Sequence, residues 1–291
     1  MIQRLLFLIT LYACAYARGF AQTSDYEAFV QRGLTAAEHD SLEQAEVYFR
    51  QALRLSPADY RNALIFTNLG KILELRYWRS LESSPATAGS SPSSREQRSA
   101  AQLADQALEN YTLALNITPT SVPMLDARGS FYMKLKNYAK AAHDFTTILD
   151  LAPANHIIRN HRAYCYVQLR RYDEARVDYL RVLEKDTENT TAQLGLAIIC
   201  QDTQKLQEAI QRMSNLIDAH PDDAEYYSVR ASMYAEHKQP ELAIMDLDRA
   251  IQLSPDNANY LQARGYLHQQ QGNRHSARVD FERAARLTNS N

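Results

Sequence analysis

The chain has 291 residues, 45% of them hydrophobic and 23% charged, with 32 basic side chains against 34 acidic ones. That near-neutral balance excludes the clustered positive excess of a nucleic-acid binder, and 8 Gly and 9 Pro exclude a collagenous or wholly disordered chain. Three cysteines are too few for a disulfide framework.

In chain order, the first element is residues 1–22, MIQRLLFLITLYACAYARGFAQ. One basic residue, Arg4, precedes an apolar run from Leu5 to Ala17, and small residues follow at Gly19 and Ala21. This order predicts a secretory signal peptide cleaved near Ala21, and hence an exported protein, expected in the periplasm. Arg18 ends the apolar run well short of the roughly 20 residues of a membrane span. No other stretch could span a bilayer. A lipoprotein signal ending at Cys14 would place the bulky Tyr12 two residues before the modified cysteine, which argues against lipidation.

From Tyr26 onward the chain repeats itself. Ala141, Ala175, Ala209, Ala243 and Ala277 follow one another at a constant interval of 34 residues. Four residues after each stands a large side chain: Phe145, Tyr179, Met213, Leu247 and Phe281. Twelve residues before each alanine the residue is small: Gly129, Ala163, Ala197, Ala231 and Gly265. Pro153, Pro221 and Pro255 close three of the units. A fixed period of this length is the signature of a stacked helical array.

These columns resemble the tetratricopeptide repeat, with small residues at positions 8 and 20, an aromatic at 24, Ala at 27 and Pro at 32. The resemblance covers nearly all of the chain after residue 22 and implies an all-α fold, a right-handed α-solenoid of seven helix-turn-helix units. The units are placed at about 26–59, 63–121, 122–155, 156–189, 190–223, 224–257 and 258–291. Each unit pairs two antiparallel helices, A and B, with close approach expected where Gly129 faces Ala141 and with the position-24 side chain filling the space beside it. A single hairpin cannot bury its apolar face, so neighbours must stack. The second unit is split by a serine- and proline-rich insertion at 80–99, expected to be disordered because it has little apolar surface to bury.

Catalytic and metal-binding patterns are missing. None of the eight histidines forms HExxH, and no phosphate-binding loop or nucleophile elbow occurs. No metal and no cofactor is therefore expected, and the chain reads as a non-enzyme. Cys165 and Cys200 fall in core slots of adjacent repeats, and helices 8–10 Å apart hold such slots too far apart for a disulfide.

One further recurrence is specific to this chain. Position 7 is Arg in Arg32, Arg128, Arg162, Arg230 and Arg264, and position 23 is Asp in Asp144, Asp178, Asp246 and Asp280. Every Asp repeat is an Arg repeat; where position 7 is Leu69 or Leu196, position 23 is Asn110 or Arg212. Residues that change together across copies of one unit predict contact, here as structural ion pairs.

The resemblance implies a scaffold holding a protein or an extended peptide in a groove lined by helix A. In units four to seven the groove positions hold Asn160, His161, Tyr164, Gln168, Leu194, Ile198, Ser228, Ser232, Gln262, Tyr266 and Gln269. This set has amides, hydroxyls and two aromatics but no cationic cluster. The family's carboxylate clamp for chaperone tails is missing, because its slots hold Asn160, Tyr164, Glu225 and Val229. The function expected is a protein–protein interaction scaffold of the bacterial cell envelope. The alternative is an accessory regulatory subunit of an envelope enzyme that builds or cuts the wall.

Overall fold

The computed structural model describes residues 25–82 and 94–289, with the backbone alone at residues 94–96 and 289. The expected signal peptide lies outside these residues. Among the described residues the regular structure is entirely helical and falls into two compact units, 1–155 and 156–291. The first contains α1 (Asp25–Glu38), α2 (Leu42–Leu55), α3 (Asn62–Glu82), α4 (Ser94–Ile117), α5 (Val122–Lys134) and α6 (Tyr138–Leu151). The second contains α7 (His156–Gln168), α8 (Tyr172–Leu183), α9 (Thr190–Asp202), α10 (Leu206–Ala219), α11 (Ala224–Glu236), α12 (Pro240–Leu253), α13 (Ala258–Gln270) and α14 (Arg274–Asn289). Odd-numbered helices are A helices and even-numbered ones B helices. Within each unit every helix packs on its neighbours in the chain.

Among the described residues, six hairpin turns are built the same way. Position 15 takes the left-handed conformation at Asp40 (φ 60°), Lys136 (60°), Arg170 (58°), Gln204 (61°), Lys238 (59°) and Gly272 (79°). Its amide and the next close a Schellman cap: Asp40 N–H donates to Ala37 at 3.1 Å and Ser41 N–H to Ala36 at 2.8 Å. The equivalent bonds close the other turns, as from Asn137 to Tyr132 (2.8 Å) and Asn273 to His268 (2.8 Å). Only the last of the six turns uses glycine, the residue that adopts this conformation without strain.

Close packing in a hairpin rests on the pairing of positions 8 and 24, with the large side chain filling the space beside the small one as expected. A Cβ on Gly33 would lie 2.7 Å from the ring of Phe49, one on Gly70 2.7 Å from Tyr111, and one on Gly129 2.9 Å from Phe145. Glycine is therefore the space into which the ring fits. Where position 8 is Ala197 or Ala231, position 24 is the slimmer Met213 or Leu247. Ala163 keeps an aromatic, Tyr179, but that ring lies against Gly195 of the following repeat, where a Cβ would come within 2.3 Å. The rings of Phe49, Tyr111 and Phe145 are fully buried.

The second hairpin differs from the sequence expectation. Residues 80–82 continue α3 and residues 94–99 begin α4, so both ends of the segment expected to be disordered are helical. Residues 83–93 lie outside the described ones. The physical reason is composition: the serine and proline concentrate between residues 83 and 94, while Arg95 to Arg98 leads directly into an alanine-rich helix. Cys165 and Cys200 are free and buried, and burial pushes the Cys165 thiol up to about 12.

Candidate functional site

Four arginines at position 7 fix the A helices. Arg128 grips Asp144 with two hydrogen bonds (2.9 and 2.7 Å), Arg162 grips Asp178 (2.8 and 2.8 Å), Arg230 grips Asp246 (2.8 and 2.7 Å), and Arg264 grips Asp280 (2.9 and 2.6 Å). Each carboxylate is buried. The planar guanidinium fork matches a carboxylate edge, which is why the column holds Arg rather than Lys. Hydrogen bonding to the aspartates raises the pKa of Arg128, Arg230 and Arg264 against the opposing effect of burial.

The remaining guanidinium nitrogen joins consecutive repeats. Arg128 donates to Thr112 Oγ1 at 3.2 Å, Arg230 to Ser214 Oγ at 3.0 Å and Arg264 to Asp248 Oδ1 at 2.6 Å. All three acceptors stand at position 25 of the preceding repeat, so one side chain locks a hairpin internally and to its neighbour. Sequence pairing found the aspartates and missed these acceptors. Their signal is the mirror spacing, sixteen residues before each arginine instead of sixteen after. In the fifth repeat, where position 7 is Leu196, Arg212 turns instead to Glu208 on its own helix (2.8 Å). Arg32, lacking an aspartate at position 23, lies over the ring of Phe29 at 5.7 Å.

The fixed A helices of the second unit display the expected groove residues unequally. Tyr164, Gln168, Ser232, Gln262, Tyr266 and Gln269 are exposed, with Tyr164 at 42% and Tyr266 at 59%. Position 9 forms one row along these helices: Tyr164, Ile198, Ser232 and Tyr266. Tyr266 packs edge-on against Phe281 at 5.1 Å between centroids, which braces one edge of its ring while the rest meets solvent. His161 and Ser228 are half-buried. Leu194 and Ile198 are also half-buried and pack on the core, leaving part of each surface outward.

Asn160 does not belong to this surface. It is buried, and its amide donates to Asn189 Oδ1 at 3.1 Å, the same oxygen that caps α9 through Ala192 N–H at 3.1 Å. Asn160 therefore braces a helix N-terminus. Glu236, beside the row, accepts from Gln201 and Gln204, each at 2.9 Å, and so ties α9 to α11.

Among the described residues no group of three His, Cys, Asp or Glu is placed to hold a metal ion, and no helix is long and apolar enough to cross a membrane.

Family models described as tetratricopeptide repeat match residues 127–190 and 178–233, and a single-repeat model matches 26–59, 224–257 and 258–291. Among solved structures, a tetratricopeptide repeat protein from Parabacteroides merdae is 26% identical with a TM-score of 0.72, covering 90% of this chain and 93% of its own. YrrB, described as a TPR protein with an unusual peptide-binding site, is 20% identical with a TM-score of 0.47, covering 74% of this chain and 96% of its own. MamA from AMB-1 is 18% identical with a TM-score of 0.44, covering 58% and 93%. No curated protein matches this chain.

Proposed function

Because the chain belongs to the tetratricopeptide repeat family, built of stacked helix-turn-helix units, we propose that it is a non-catalytic scaffold that holds an extended peptide along its A helices. The observation that carries this reading is the row at position 9. Two exposed tyrosines, Tyr164 and Tyr266, stand on helices locked by buried Arg–Asp pairs, with amides at Gln168, Gln262 and Gln269 around them. Such a surface supplies apolar anchors and donors and acceptors for a peptide backbone. Aromatic side chains held rigid before binding lose little entropy on contact and carry a large share of an interface.

Peptides selected by display against the intact chain provide the test. Tyr164→Ala with Tyr266→Ala should weaken them by about tenfold or more, the effect of losing anchor residues, with unchanged helicity and melting. Undiminished binding by that variant overturns the reading.

We further propose that the scaffold is exported to the bacterial cell envelope. The support is the order of basic, apolar and small residues in 1–22. N-terminal sequencing of the protein from a bacterial envelope fraction should begin near Gln22. A chain beginning at Met1 refutes export by cleavage.

A further inference from the structure

The second hairpin is longer than the others, and its added turns set one side of α3, with Tyr77 and Trp78, on the core of Leu73, Ala104 and Phe131. Five other A helices have 13 residues, whereas α3 has 21. An A helix of ordinary length would end near Glu74. The surplus, Leu75 to Glu82, runs beside the first hairpin and is tied to it by two arginines. Arg76 pairs with Glu43 and Glu46 on α2, and Arg79 pairs with Asp40 in the α1–α2 turn.

Between this extension and the first hairpin lies an apolar cavity of about 200 Å³, with Leu34 on one wall and Ile72, Leu75 and Trp78 on the other. Protein interiors leave few voids larger than a water molecule. Typical small-molecule sites span roughly 300–1,000 Å³, so this volume suits a single large side chain better than a whole ligand. The tryptophan is the chain's only one, and it stands on the part of α3 beyond the ordinary length of an A helix.

The mouth is acidic. Glu38, Asp40 and Glu82 surround it, and Arg79 answers Asp40, which leaves Glu38 and Glu82 without an ion-pair partner among the described residues. Lys71 also lines the cavity; burial lowers its pKa, while Glu74 and Asp126 act to raise it. The lining as a whole still carries three carboxylates, Glu38, Asp40 and Glu82, against the two cations Lys71 and Arg79.

We propose that the cavity beside Trp78 seats one large apolar side chain of a partner peptide, with basic residues flanking that anchor and facing Glu38 and Glu82. The apolar walls select the anchor by area removed from water. Glu38 and Glu82 select its neighbours by charge and make the contact salt-sensitive. This seat lies in the first unit and does not depend on the tyrosine row of the second.

Trp78 emission reports occupancy directly in the full-length protein. Three capped pentapeptides serve as probes: a leucine flanked by two lysines on each side, the same peptide with glycine at the centre, and a leucine flanked by glutamates. The basic leucine peptide should shift Trp78 emission saturably at millimolar concentration or below. The glycine peptide should bind about tenfold or more weakly, the loss of one buried leucine side chain. The acidic peptide should give no saturation. Glu38→Lys with Glu82→Lys alters two exposed residues, and circular dichroism checks its fold; it should weaken the basic peptide by about fivefold, as two exposed charge pairs would. Tyr164→Ala with Tyr266→Ala should respond like the parent. No saturable shift with the basic leucine peptide overturns the proposal. So does an equal response to the glycine peptide, or an affinity indifferent to the charge reversal.

Discussion

Replacing Arg128 by leucine tests what the repeated ion pairs do. Asp144 is 1% exposed and receives both of its hydrogen bonds from Arg128, at 2.9 and 2.7 Å. Without the guanidinium, that carboxylate stays buried with no counter-charge, and Thr112 loses its donor as well. Breaking a buried pair from one side costs about 3–5 kcal/mol, because desolvation is no longer offset. Removing both charges, Arg128→Leu with Asp144→Leu, replaces the pair by apolar contact and should cost less than about 1.5 kcal/mol. Urea unfolding followed by far-ultraviolet circular dichroism measures all three proteins, and the cost of the single change should vary little with salt, since the pair is shielded from it. Arg162→Leu is the internal control. Asp178 keeps a second guanidinium, Arg159, at 3.3 Å, so this loss should be nearer 1–3 kcal/mol, about that of hydrogen bonds to a charged group. Equal destabilisation by the single and double changes at Arg128 and Asp144 would refute the reasoning.

Other consequences are measurable in the same way. Gly33→Ala gains about 1 kcal/mol of helix propensity but sets a Cβ 2.7 Å from the fully buried Phe49 ring, an overpacking cost of about 1–3 kcal/mol. The alanine variant should be the less stable protein, and adding Phe49→Leu, which copies the Ala231–Leu247 pairing, should restore part of the loss; a single variant more stable than the parent would disprove the ring-into-glycine account. Gly272→Ala puts a side chain at φ 79° and should cost about 1 kcal/mol, although nothing lies within 4 Å of the new Cβ; an unchanged thermal melt counts against the left-handed turn. Burial raises the Cys165 thiol from 9.0 to about 12, so the folded state keeps a proton that the unfolded chain releases. Its contribution to stability is complete below pH 9 and is lost between pH 9 and about 12. Cys165→Ala should therefore flatten the alkaline fall in stability, and a parallel fall in both proteins contradicts the assignment.

What the sequence made legible depended on whether a structural demand falls on side-chain type. The ring-and-glycine contact demands small against large, so positions 8 and 24 stood out as columns. The left-handed residue at position 15 demands only a backbone angle. Asp40, Lys136, Arg170, Gln204 and Lys238 meet it with no shared chemistry, and only Gly272 advertises the turn. The Arg–Asp pairs were readable because both partners are constant, whereas their third acceptor is Thr112, Ser214 or Asp248, three residues that accept the same bond. Asn160 shows the converse. It occupies a groove position by number, but its short amide reaches the cap at Asn189 and leaves the surface.

Periodicity is also blind wherever the period breaks. Ordinary repeats must satisfy the same packing again and again, and this constrains their A helices to 13 residues in five of seven hairpins. The extended α3 is released from that constraint after Glu74. Its extra turns are held by Arg76 and Arg79, yet they carry Leu75 and Trp78 against a space they do not fill. An apolar surface kept open costs the fold whatever burial would have contributed, and the three ion pairs of two partly exposed arginines offset little of it. Packing on the cluster of Leu73, Ala104 and Phe131 accounts for Tyr77 and for part of Trp78, but gives no reason for the face left open toward the first hairpin. An occupant for the cavity would supply one, and this places the chain's individual specificity in the hairpin that departs from the repeat.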